Sequence, residues 1–371
     1  MKIGIVHDTA APGLGGHGTQ FAFHGLPGTE IVALVDSRDE DVDRRMAEIG
    51  AQRRYRTCRE MFDRETPDIV ALASRLPGDH IEPIREAARR RCHVFCEKPL
   101  TADLAEADEI VRLSGGAGIK IAVAHLARHS LTFRTMKRMI AEGAIGRPLT
   151  FYGRGKEDGR GGGEDMMVLG THILDIGVFL FGAPAGVYAE ISVEGRPLRP
   201  TDRAKTQEPI GPAAGDDVYA LYQFPNGVRG VFESRRGLLT SQARMGVTVA
   251  GTEGCLAARY EKGPRRLRIS RSPYPPEDEA RFEEVPLGED VEIPGAAPLA
   301  DLPFLPYFLV NNRLAAWDLV RAVREDREPA ASAADARLTL EMIFGAYRSQ
   351  LEGGWIALPL ANRGHPLGKA G

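Results

Sequence analysis

The feature that most limits the fold is an alternation. Over residues 1–124, short apolar runs rich in β-branched and aromatic residues take turns with stretches of helical spacing. Residues 3–6, 31–35, 69–73, 93–96 and 119–124 each form a short, largely apolar run, the pattern of a strand buried on both faces. Residues 39–49, 79–91 and 102–113 carry good helix formers at helical spacing. Strand and helix in repetition place parallel strands in one sheet covered by helices, so residues 1–124 read as a doubly wound Rossmann domain.

After about residue 125 the rhythm changes. A helix over 131–142 ends at Gly143, a glycine-rich segment covers 153–163, and Thr171 is the expected N-cap of a helix that runs to Phe181 and stops at Gly182. Residues 218–224 and 228–234 flank Pro225-Asn226-Gly227, and residues 245–250 and 255–258 flank Gly251-Thr252-Glu253-Gly254, two hairpin signals. Helices near 314–324 and 333–351 close the chain. Residues 125–371 therefore read as a second α/β domain on an open, mainly antiparallel sheet. Within it, residues 263–306, rich in proline and acidic residues, suit a surface excursion or subunit arm.

Composition excludes several classes of function. At 43% hydrophobic and 27% charged residues, the chain has the balance of a folded globular protein. A formal net charge of −3 leaves no basic excess for a nucleic-acid backbone. No run of about 18 apolar residues occurs, and the first residues pass straight into a strand without a charged leader, so neither a membrane span nor a signal peptide is expected. The expectation is a soluble, cytoplasmic protein. Cys58, Cys92, Cys96 and Cys255 are too scattered for a disulfide framework and read as free thiols. His125 and His129 have i, i+4 spacing without a third ligand, so no metal is expected.

Gly13-Leu14-Gly15-Gly16-His17-Gly18 follows the first strand and fits the dinucleotide fingerprint, in which glycines let backbone approach a pyrophosphate. Asp36, at the end of the next strand, has the spacing of a carboxylate that accepts the ribose hydroxyls and repels a 2'-phosphate. Arg38 is the counterweight, since an arginine there can hold a 2'-phosphate. With Asp36 in place the balance favours NAD. Ser37, Ser74 and His80 join the candidate cofactor contacts.

At Cys96-Glu97-Lys98-Pro99 the chain resembles the Gfo/Idh/MocA (glucose-fructose oxidoreductase / inositol dehydrogenase) family. Four further segments agree in order: Glu142-Gly143-Ala144-Ile145-Gly146-Arg147-Pro148, Gly170-Thr171-His172-Ile173-Leu174-Asp175, Gly251-Thr252-Glu253-Gly254 and Arg324-Glu325-Asp326-Arg327-Glu328-Pro329. The resemblance implies a nicotinamide cofactor, held in part by Glu97 and Lys98, and a second domain whose open sheet supports subunit contacts in a homo-oligomer, dimer or tetramer. It implies that Lys98 reaches the reacting hydroxyl and stabilises an alkoxide, and that the Lys-Pro bond is of a kind often cis. It also implies that His172 is the general base. Asp175 lies on the same helical face three residues on, and a first-turn histidine would be kept neutral by the helix N-terminus. Without the resemblance, Glu97 and Lys98 read as a solvated charge pair and His172 as a core histidine.

The chain departs from many relatives at Val168, where they carry an aspartate four residues before the histidine; Glu164 and Asp165 lie nearby at other spacings. Arg154, Lys156 and Arg160 stand among glycines, as in a mobile lid carrying cations over an acidic sugar, or equally a solvated loop. With Asp165, His125 and Arg128 they form the candidate substrate-binding set. The expected activity is hydride transfer between NAD and a secondary hydroxyl of a sugar, glycoside or cyclitol. The alternative is an NAD-dependent glycosidase that oxidises a ring hydroxyl transiently, eliminates the aglycone and adds water. A binding protein that has lost its chemistry is a third reading, disfavoured by the presence of both Lys98 and His172.

Overall fold

The computed structural model describes residues 1–8, 17–238, 245–260, 266–274, 281–288, 292–298 and 306–368. The first elements in chain order are β1 (Lys2–Asp8), β2 (Glu30–Asp36), α1 (Val42–Ile49), β3 (Arg53–Tyr55), α2 (Cys58–Glu65), β4 (Ile69–Leu72), α3 (Ile81–Arg89), β5 (His93–Cys96), α4 (Leu104–Ala117) and β6 (Ile121–Val123). Then come α5 (Leu131–Ala141), β7 (Pro148–Arg154), α6 (Gly163–Val168), α7 (Gly170–Phe181), β8 (Gly186–Val193), β9 (Arg196–Pro197), β10 (Asp217–Gln223) and β11 (Arg229–Arg235). The last are β12 (Gly246–Gly251), β13 (Cys255–Arg259), β14 (Leu267–Ser270), β15 (Glu283–Val285), α8 (Pro306–Arg324), α9 (Ala333–Glu352) and β16 (Ile356–Ala357). They fall into two compact units, Met1–His129 with Val291–Arg337 and Ser130–Asp290 with Leu338–Gly371.

In the first unit β3-β2-β1-β4-β5-β6 form a wholly parallel sheet. Side chains alternate between two cores: Ile3, Ile5, Ile69, Ala71 and Phe95 on one face, Val6, Val70, Leu72, Val94 and Cys96 on the other. Met61 and Phe62 of α2, Ile81 and Ile84 of α3 and Ile110 of α4 cover the second face. The first face is closed by Phe21, Phe23, Leu26 and Ile49, and by Ala315, Ala316, Leu319 and Val320 of α8. The first unit is thus larger than the 1–124 expected from the sequence, because α1 alone cannot cover a sheet face and the chain returns with α8 to do it.

The second unit carries a mixed sheet in the order β15-β14-β13-β12-β7-β11-β10-β8-β16, with β9 beside β8. Its pairs are antiparallel except β7 with β11. Both expected hairpins are present, β10 with β11 and β12 with β13. β14 and β15 lie inside residues 263–306, so part of the expected surface excursion is sheet. Phe151, Val218, Ala220 and Phe232 are buried on one sheet face, whereas Tyr152 and Tyr219, on the opposite face, are 42% and 40% exposed.

Two local expectations change. Thr171 is not an N-cap: α7 begins at Gly170, and α6 runs into it through Leu169, whose backbone N–H donates to Asp165 O at 2.9 Å. The glycine-rich segment is packed. Gly162 takes φ 93°, in the left-handed region, and a Cβ on Gly163 would stand 1.9 Å from the Ala214 carbonyl oxygen. These glycines are there for close approach of backbones. Gly163→Ala should therefore destabilise the protein by roughly 1–3 kcal/mol, the range for overpacking. Gly159→Ala, whose Cβ would meet only the end of the flexible Gln207 side chain at 3.4 Å, should stay within about 0.5 kcal/mol. Urea-unfolding midpoints of the two variants check the contrast, and equal midpoints would contradict it.

Candidate active site

In a parallel sheet all strand C-termini share one edge, and a dinucleotide lies where the strand order reverses, here between β1 and β4. That edge of the first unit carries Asp36 at the end of β2, Ser74 just past β4, and Glu97 and Lys98 directly after β5. Gly13, Gly15 and Gly16 lie outside the described residues. His17 and Gly18 lead into a single 3-10 turn, Thr19–Phe21, and Gly18 has the left-handed φ of 91° that suits glycine.

Glu97 is buried. Its carboxylate receives His17 Nδ1 at 3.1 Å on one oxygen and the Thr19 hydroxyl on the other. Burial pushes the carboxyl up, but the bond from His17, the charges of His17 and Lys98 and the Thr19 bond outweigh it and hold the pKa at about 2. A buried carboxylate therefore clamps the end of the glycine-rich turn onto the residue next to Lys98. Lys98 itself is buried, and the Lys98-Pro99 peptide is cis.

Asp36 is also fully buried. Its Oδ1 accepts from Arg38 N at 3.0 Å and Arg38 Nε at 3.1 Å, and its Oδ2 from Arg38 Nη2 at 3.0 Å and Arg45 Nε at 2.8 Å, with His7 Nδ1 at 3.3 Å. Burial raises its pKa, the bonds from Arg38 and His7 lower it, and the balance is about 2. His7 and Arg45 were not foreseen from the sequence. The signal for His7 was its place at the end of β1, which pairs with the end of β2.

Other candidates on this unit have structural duties. The Ser74 hydroxyl donates to Asp79 Oδ2 at 2.8 Å. His80 is wholly buried, with Nδ1 2.9 Å from Leu100 O and Nε2 2.9 Å from Ser74 O, linking the segment after β4 to the one that follows Lys98. The Ser37 carbonyl accepts from Arg56 at 3.3 Å. Arg128 is buried, donates to Ala330 O at 2.9 Å and pairs with Asp335 at 3.2 Å; His125 is buried beside β6.

In the second unit His172 sits in the first turn of α7, partly exposed, with its ring centroid 6.4 Å from that of Tyr260. Because α6 feeds directly into α7, this turn is not an open helix N-terminus, and the expected electrostatic reason for a neutral imidazole does not carry. Asp175 is fully buried on the same helix, and Val168 is buried in α6. Asp165 is fully buried, its Oδ2 receiving the Ser234 hydroxyl at 2.5 Å and Glu157 N at 3.2 Å; burial raises its pKa against these two bonds.

The cations of the glycine-rich segment are paired within the unit. Arg154 meets Glu157 at 3.0 Å and also Glu233, Lys156 meets Asp158 at 3.2 Å, and Arg160 meets Asp158 at 2.7 Å and Glu208 at 2.5 Å. Each of the three cations thus has at least one carboxylate of its own unit beside it. Among the described residues no cluster of three His, Cys, Asp or Glu side chains could hold a metal, and no helix is long and apolar enough to cross a membrane. The four cysteines are free thiols.

A buried carboxylate at the β2 end, the left-handed Gly18 leading into the 3-10 turn and a lysine after β5 fit a dinucleotide with its adenosine ribose at Asp36 and its nicotinamide toward Lys98. This is the cofactor unit of an NAD-binding oxidoreductase. Residues 9–125 match the model of the oxidoreductase family with an NAD-binding Rossmann fold, and residues 133–257 match the GFO/IDH/MocA C-terminal domain. The chain belongs to the Gfo/Idh/MocA oxidoreductase family, and NAD is its cofactor.

Among its relatives, D-apiose dehydrogenase of Paraburkholderia graminis is 32% identical over 43% of this chain, a match spanning 45% of that protein. Myo-inositol 2-dehydrogenase of Thermotoga maritima is 24% identical over 70% of this chain and 75% of its own. The structure of levoglucosan dehydrogenase in complex with NADH and levoglucosan is alike in fold, with a TM-score of 0.77 at 21% identity over 97% of this chain and 100% of that one.

Proposed function

We propose that this chain is an NAD-dependent dehydrogenase acting on a secondary hydroxyl of a neutral sugar, glycoside or cyclitol. The observation that carries the reading is Lys98, a buried ammonium fixed after β5 by the Glu97 clamp and the His80 brace. Three relatives whose names state oxidation of an apiose, an inositol and levoglucosan support the substrate class. A neutral substrate is favoured because Arg154, Lys156 and Arg160 are neutralised by their own carboxylates.

NAD, when bound, supplies the hydride acceptor. Lys98 donates a hydrogen bond to the substrate oxygen and stabilises the charge that develops there as its proton is lost. His172 accepts that proton. Glu97 stays ionised and sets a negative charge beside Lys98. The glycosidase alternative draws its support from Val168, which removes the carboxylate that many relatives place behind the histidine.

The exposed Tyr152 and Tyr219 lie on the sheet face opposite the buried Phe151 and Phe232, and we assign that face to contact between copies of the chain. Light scattering at micromolar concentration should show a homo-oligomer, and a monomer would refute the assignment.

Lys98→Met and His172→Ala should bind NAD nearly as well as wild type. Lys98→Met should lose on the order of a hundredfold or more in kcat, and His172→Ala about a hundred- to ten-thousandfold. Because losses on one chemical step are not additive, the double variant should be little worse than the poorer single one. Retention by His172→Ala of more than about a tenth of the wild-type rate, well above what loss of a base allows, would remove it as the base.

A further inference from the structure

The helix that returns to cover the first sheet face also reaches the turn after β1. Asn312 of α8 is buried, and its side-chain Nδ2 donates to the His17 carbonyl at 3.0 Å. A carbonyl only accepts, so this bond fixes the orientation of the amide, with its nitrogen on His17 and its oxygen turned away. Asn312 Oδ1 is buried, and among the described residues no donor reaches it. A buried acceptor without a donor is destabilising, and folded proteins as a rule supply one from protein, water or ligand. The amide oxygens of Gln20 and Asn311 are buried without a donor as well, but of the three residues Asn312 is the one whose amide a described bond holds in place.

The bonds around His17 locate that oxygen in the site. His17 Nδ1 lies 3.1 Å from Glu97 Oε1, and Lys98 is the next residue in the chain. Asn312 is therefore joined through His17 to the residue beside the lysine toward which the nicotinamide is placed. At that end of a dinucleotide the donors are the carboxamide N–H groups and the ribose hydroxyls. A hydroxyl both gives and accepts, and so finds partners of either kind, whereas an amide nitrogen only donates and requires an acceptor. The carboxamide is the natural complement of an oxygen that can only accept.

We propose that Asn312 holds the nicotinamide carboxamide, its Oδ1 accepting from the carboxamide nitrogen while its Nδ2 keeps the His17 carbonyl. The inference rests on the reading of this sheet edge as the cofactor site, with the nicotinamide toward Lys98. A ring held by its substituent cannot turn over about its bond to the ribose. Asn312 is then a positioning residue that selects the ring face offered to the substrate, supplied by the helix that completes the core beneath.

Calorimetric titration of the full chain with NAD and with its acetylpyridine analogue, in which a methyl group replaces the carboxamide nitrogen, tests this without a sugar substrate. The analogue leaves Asn312 Oδ1 unpaired in a closed site, so the wild type should bind NAD at least about fivefold more tightly than the analogue. Asn312→Leu, similar in shape and without the amide, should weaken NAD and bring the two Kd values to within about twofold of each other. The ratio is the readout because loss of the bond to His17 acts on both dinucleotides alike. Asn312→Ala gives the same comparison if Asn312→Leu does not fold. A wild-type ratio below about fivefold overturns the proposal whether or not either variant folds. So does a variant that keeps the wild-type ratio, since another group would then hold the carboxamide. A wild type that binds neither dinucleotide would instead strike the reading of the cofactor site on which the proposal stands.

Discussion

A parallel sheet needs cover on both faces, and much of this structure answers that need. Strands β1, β4 and β5 send apolar side chains alternately into two cores. α2, α3 and α4 close one of them, and the other is completed only when the chain comes back from residue 306 with α8. With both faces buried, the strands of this sheet present polar groups at their two ends, Lys2, Glu30 and His93 at one edge and Asp36, Glu97 and Lys98 at the other. Asp36, Ser74, Glu97 and Lys98, the residues proposed to meet the cofactor, are on the C-terminal edge.

Placing charged groups at the end of a buried strand carries a desolvation penalty, and the chain offsets it with dense pairing. Glu97 is neutralised by His17 and Lys98 and hydrogen-bonded by Thr19; Asp36 is gripped by Arg38 and Arg45. Both carboxyls have pKa values near 2, so they remain ionised at neutral pH. The same bonds that satisfy burial also order this edge: Glu97 holds His17 and Thr19 against the residue beside Lys98. His80 adds contacts to the carbonyls of Ser74 after β4 and Leu100 after Lys98.

What the sequence disclosed follows the physics of each signal. β1, β2, β4 and β5 were legible because buried parallel strands are nearly continuous apolar runs, and the hairpins because Pro-Asn-Gly and Gly-Thr-Glu-Gly are turn chemistry. β3 was not, since Arg53–Tyr55 is a short polar edge strand. α2 left one readable mark, Thr57 and Glu60 three residues apart, and the Thr57 side chain does accept from Glu60 N. The glycines at 161–163 misled because the absence of a Cβ serves close packing as readily as mobility. The basic residues there misled although Glu157 and Asp158, two or three residues away, supply three of their five ion pairs; Glu208 and Glu233 are adjacent only through the fold. Lys98 and His172 were found by resemblance, since lone ionisable residues carry no pattern of their own.

The central claim is that the chain carries out a net oxidation, with the electrons ending on the nicotinamide. The most direct measurement supplies the wild-type chain with NAD and a panel of neutral sugars, cyclitols and aryl glycosides, following NADH absorbance and aglycone release in the same cuvette. The account predicts at least one neutral ring polyol that yields one NADH per molecule oxidised, with no aglycone set free. Aglycone release that requires NAD yet leaves no net NADH would contradict it and identify the chain as a redox-neutral glycosidase.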